Sequence, residues 1–109
     1  MYSKPYDEMT RLEQKMFWAV REGAMLHELP MSEVDNPGSD NEVRWPAEQP
    51  EDCAGVLLRW FDEGLVGVMT TEDERDLPSA EARRVLADHE AWSSTHSLFI
   101  TDSGDAALI

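Results

Sequence analysis

Basic residues are scarce in this chain. Of 109 residues only 9 are Lys or Arg, against 23 Asp and Glu, so the formal charge is -14. Nonspecific nucleic-acid affinity comes largely from Lys and Arg displacing counterions, and an acidic surface repels phosphate. That generic drive toward DNA is missing, and nucleic acid is not an expected partner. Cysteine is nearly absent too: Cys53 stands alone, which rules out an internal disulfide. With no Asn-x-Ser/Thr acceptor either, the expected compartment is a reducing cytoplasm. No apolar run approaches the roughly 20 residues needed to cross a bilayer, and the opening MYSKPYDEMT lacks the apolar block of a signal peptide, so neither export nor a membrane partner is expected.

Chemical signatures are missing as well. There is no Gly-x-Ser-x-Gly, no Gly-rich loop before Lys-Ser/Thr and no pair of Cys-x-x-Cys units. His27, His89 and His96 form no compact ligand pattern, and only Glu28 and Glu90 sit beside any of them. The run EDERD at 72–76 reads as a solvated loop, because acid/base work needs one carboxyl in an apolar pocket. No catalytic residue, cofactor site or metal site is expected, and the protein reads as non-enzymatic.

What the chain does contain is enough apolar material for a core. Hydrophobic residues make up 41%, with four Trp, which argues for one packed domain spanning 1–109 rather than disorder. The charge is unevenly spread. Residues 1–22 hold four bases and four acids, whereas residues 23–109 hold five bases and nineteen acids. Such a surface favours basic partners.

Between Asp7 and Glu22, Met9, Leu12, Met16, Phe17 and Val20 recur at three- and four-residue spacing, so a helix is expected there, stopped by Gly23. From Ala24 to Gln49 the prolines and the stretch DNPGSDNE interrupt regular structure. A short helical turn and a surface loop are expected, with Met25, Leu26, Leu29, Met31 and Val34 as anchors. Val43 and Trp45 before Pro46 read as extended, with Trp45 at the loop edge. A second helix is expected from Pro50 to Glu63, with Cys53, Val56, Leu57, Trp60 and Phe61 facing inward and Gly64 as its stop. Cys53 on that stripe is expected to be a small buried filler. Leu65, Val66, Val68 and Met69 read as a strand. A third helix is expected to begin after Pro78 with Ser79 as N-cap and to end near His89 or Trp92. Leu98–Thr101 is β-prone, and Asp102 or Ser103 is expected to cap a last helix carrying Ala106, Ala107 and Leu108.

VLLRWFDEGLVGVM, residues 56–69, resembles the end of a winged-helix recognition helix running into the first wing strand. SLFITDSGDAAL, residues 97–108, resembles the second wing strand with a Thr-x-x-Gly turn before a further helix, as in bacterial winged-helix regulators of the antibiotic-resistance type. The resemblance implies an α+β fold: a small winged-helix-like domain, mostly helical, with a two- or three-stranded antiparallel sheet. The chain departs from that pattern in two places. Three prolines between 30 and 46 leave little room for the regular second helix, and the connection between the wing strands holds a whole helix in an acidic insertion. The family reads DNA with Arg, Lys, Asn or Gln on the recognition helix. Here that helix offers Arg59 alone, beside Glu51, Asp52, Asp62 and Glu63.

The expected function is therefore a protein-interaction module that binds a basic partner or a second copy as a homodimer. Candidate contact residues are Trp18, at the edge of the first helix's apolar face, Trp92, in a loop-like setting, and the acids Glu72, Asp73, Glu74 and Asp76. Two other readings remain open: a nucleic-acid mimic of phage or mobile-element type, and a dimeric DNA-binding regulator in which Arg83 and Arg84 are brought together.

Overall fold

The computed structural model describes residues 6–29, 34–36, 38–44 and 48–107. The expectations for Met31, Trp45 and Leu108 lie outside the described residues. The fold is α+β, with four helices and two small antiparallel sheets.

Helix α1 spans Arg11–Glu22, shorter at its start than the apolar spacing alone predicts, and Tyr6–Glu8 forms a separate 3-10 turn. The reason is local. Thr10 Oγ1 accepts the Glu13 N–H at 3.1 Å and Glu13 Oε1 accepts the Thr10 N–H at 2.9 Å, a reciprocal cap that fixes the first turn. Gly23, at φ 68°, ends the helix. Its N–H reaches the Val20 carbonyl while the Ala24 N–H reaches Ala19, the paired bonds of a left-handed glycine cap.

Between α1 and the next helix, the expected helical turn is a 3-10 turn at Leu26–Glu28, with Leu26 and Leu29 buried. A two-residue hairpin follows, β1 (Val34–Asp35) against β2 (Val43–Arg44). No regular second helix lies among these described residues.

Helix α2, Pro50–Asp62, begins with Pro50 at a position where its missing N–H costs nothing. It ends as α1 does: the Gly64 N–H reaches Phe61 and the Leu65 N–H reaches Trp60. Cys53, Val56, Leu57 and Trp60 are buried in the central cluster with Met16, Phe17 and Val20 of α1, so Trp60 and Cys53 are core residues.

Strand β3 (Val66–Thr70) pairs antiparallel with β4 (His96–Ile100), Val68 facing Leu98 across the ladder. Both edges are partly covered. The Leu98 N–H donates to the Ala24 carbonyl on one side, and the Leu77 N–H donates to Val68 on the other. Helix α3, Ser79–Ala87, lies within this hairpin connection and packs on α2 through Ala82 and Leu86. Pro78, not Ser79, occupies its N-cap position, and a 3-10 turn at His89–Ala91 carries the chain onward.

Helix α4, Asp102–Ala107, is capped by neither Asp102 nor Ser103. Thr101 Oγ1 accepts the Gly104 N–H at 2.9 Å and donates to the Gly64 carbonyl at 2.6 Å. One hydroxyl thus ties the end of β4 to the turn after α2. Gly104 approaches so closely that a Cβ there would fall 1.9 Å from the Leu65 carbonyl oxygen.

Candidate functional site

Two surfaces concentrate the sequence-selected residues. The first is the outer side of α1. Phe17 is buried, whereas Trp18, one position on, is 49% exposed. Tyr6 returns from the preceding 3-10 turn to fix it. The Trp18 indole N–H donates to the Tyr6 hydroxyl at 3.0 Å, and Phe17 meets Trp18 edge-on at 5.3 Å between centroids. The Arg21 guanidinium lies 4.7 Å from the Phe17 centroid and is held there by Asp105 of α4 at 3.0 Å. Stacked and edge-on rings with a satisfied indole form a rigid aromatic surface, the type of side chain that dominates protein contacts.

The second surface is the acidic turn after β3. Glu72, Asp73, Glu74 and Asp76 are all exposed, and Glu74 sits at φ 52°. Asp73 accepts a hydrogen bond from the Thr70 hydroxyl. That bond holds its carboxyl below the usual range, with Arg75 nearby acting in the same direction. Arg75 is 3.8 Å from Asp73. Thr70, Thr71, Ser94, Thr95 and His96 line a shallow polar hollow beside these acids.

Trp92 belongs to neither surface. It is half-buried, donates its indole N–H to the Val85 carbonyl at 2.9 Å, and meets His89 edge-on at 6.3 Å. It closes the exit of α3, where the helix's last carbonyls need partners. It also walls a small cavity of about 180 Å³ with Arg84, Asp88 and His96.

The side of α2 and α3 that carries Arg59, Arg83 and Arg84 is not a cationic groove. Arg59 is bonded to Glu13 of α1 at 3.0 Å, Arg83 to Asp62 at 2.6 Å, and Arg84 stands 4.0 Å from Glu81. Glu13 is the notable partner. Its carboxylate is buried, and its two oxygens serve the α1 cap and Arg59 at once. Sequence reasoning passed over Glu13, although Thr-x-x-Glu ahead of an apolar helix is a recognisable capping pattern. It also passed over Tyr6, whose role depends on a chain reversal that no local pattern encodes.

Cys53 is fully buried, and burial pushes its thiol up to about 11, with Glu48 adding to the rise and Lys15 opposing it. Such a thiol stays protonated and unreactive near neutral pH. Among the described residues no group of His, Cys, Asp and Glu is arranged to hold a metal ion, and no helix is long and apolar enough to cross a membrane. An apolar groove of about 400 Å³ runs between the edge of β3 and α3, floored by Phe99, whose ring lies across Gly67 on the facing strand. No family model, no curated protein and no solved structure matches this chain.

Proposed function

We propose that the chain is a non-enzymatic, winged-helix-like interaction module that binds a basic protein partner. The observation that carries this reading is the pairing of its arginines. On the face that a winged-helix regulator turns toward a duplex, Arg59, Arg83 and Arg84 each stand beside a carboxylate. Glu72, Glu74 and Asp76 project from the neighbouring turn with no ion pair among the described residues. A phosphate backbone gains few free cations from such a face, while a Lys- and Arg-rich polypeptide meets a complementary field. The field raises the encounter rate, and the rate falls as salt screens it.

The test is affinity capture from nuclease-treated source lysate at low and high salt, followed by titration of the recovered protein. The expected partner is basic, and its association rate falls steeply with added salt. Band-shift binding to random duplex DNA at low salt would favour the dimeric regulator instead, and salt-insensitive association would remove the steering.

A further inference from the structure

We propose that the outer face of α1 joins two copies of this chain as an antiparallel, twofold-related dimer centred on Trp18. Three independent observations converge on this face. Trp18 is the largest exposed apolar side chain among the described residues. Its one polar atom is already bonded to Tyr6 and its ring is braced by Phe17, so what remains open is apolar and little entropy is lost on covering it.

Charge selects the occupant. Residues 1–22 carry as many bases as acids, while the remainder carries five bases and nineteen acids. Two molecules of charge -14 repel through any other face, and least through this one.

Register selects the direction. Arg11, Gln14, Trp18 and Glu22 follow at three- and four-residue steps and so form one line along α1. Trp18 and Glu22 on that line are exposed, and Arg11 and Gln14 are partly so. A parallel mate would oppose Glu22 to Glu22 and Arg11 to Arg11. An antiparallel mate sets Glu22 against the second copy's Arg11, and Trp18 against the stem of its Gln14, at both ends of the twofold. Like charges opposed across an interface are unfavourable and unlike charges fix the register.

Sedimentation equilibrium of the full chain up to about 300 µM is the test, since the dimer fraction follows protomer concentration. The expected mass rises toward the dimer with concentration, and more readily at about 500 mM NaCl than at about 20 mM, because screening first removes the repulsion between distant acids. This salt response has the opposite sign to that of a basic partner, so the two proposals fail separately. Trp18→Ala is expected to raise the dimer Kd at least about tenfold, with an unchanged circular dichroism spectrum. Should that variant lose structure, Glu22→Arg carries the same reading. It places a cation at a helix C-terminus, which favours the fold, while opposing Arg11 of the second copy. A wild-type chain that stays monomeric throughout, or a folded variant of either kind that dimerises as tightly as wild type, overturns the proposal.

Discussion

The aromatic face of α1 and the acidic turn after β3 recognise by different physics. Around Trp18 the groups are locked to one another: Tyr6 holds the indole, Phe17 braces it, and Asp105 pins Arg21 over Phe17. At residues 72–76 the acids point into water, and only Asp73 is tied locally. The first surface acts at contact range and its worth lies in shape. The second acts over about a Debye length and its worth lies in charge. One small domain therefore carries a short-range anchor and a long-range attractor on separate elements, and changing either should leave the other standing.

Gly104→Ala is the severest way to break that separation, because α4 supports both sides: Asp105 reaches α1 and Gly104 lies against Leu65 at the entry to β3. A methyl 1.9 Å from a backbone oxygen forces main-chain movement. The expected loss is about 3 kcal/mol or more in urea unfolding, with both surfaces disturbed together.

The shared core is probed next through Cys53. The folded thiol is pushed up to about 11 from an ordinary 9.0, so above pH 9 the unfolded chain loses the proton first. The contribution is fully present below 9.0 and lost as pH rises through the folded value, about 2.7 kcal/mol in all for two units. Wild type should therefore lose stability relative to Cys53→Ala between pH 9 and 11 in paired denaturation curves. A constant difference would show that the thiol is not desolvated.

Glu13→Ala removes the α1 cap and leaves Arg59 without this carboxylate. A cap contributes about 1 kcal/mol and the ion pair to half-exposed Arg59 about 1 more, so a loss near 2 kcal/mol is expected by thermal or urea unfolding. The smallest effect belongs to the acidic turn. Exchanging Glu72, Asp73, Glu74 and Asp76 for their amides should change stability by only about 0.5 kcal/mol while flattening the salt dependence of association with a basic partner. If the amide variant unfolds as readily as Glu13→Ala, the turn is structural and the contrast between the two surfaces disappears.

Local signals in the sequence were enough wherever the structure depends on local bonds. Gly23 and Gly64 stop their helices because a left-handed cap closes within six residues, and Pro50 starts α2 for an equally short-range reason. The strands at 66–70 and 96–100 follow from β-branched and aromatic content, and the burial of Trp60 and Cys53 follows from helical spacing. Errors arose where two local candidates competed. Thr101 won the α4 cap from Asp102 and Ser103 because it also reaches Gly64 from across the fold. The start of α1 moved from Asp7 to Arg11 because the Thr10–Glu13 box outweighs apolar periodicity. Trp92, legible only as a loop aromatic, is assigned to the exit of α3 by its bond to Val85.

Composition and spacing by themselves determined the acidity, the four-helix pattern, the strand positions and the absence of familiar catalytic motifs. These are sums or short-range periodicities, readable without knowing what lies opposite. Only the tertiary structure decided which arginines meet which carboxylates, that Glu13 serves a cap and Arg59 together, and that Tyr6 turns a half-exposed Trp18 into a fixed surface. Those contacts join residues up to 84 positions apart, and an interaction that acts over a few ångströms is set by folding, not by neighbourhood in the chain.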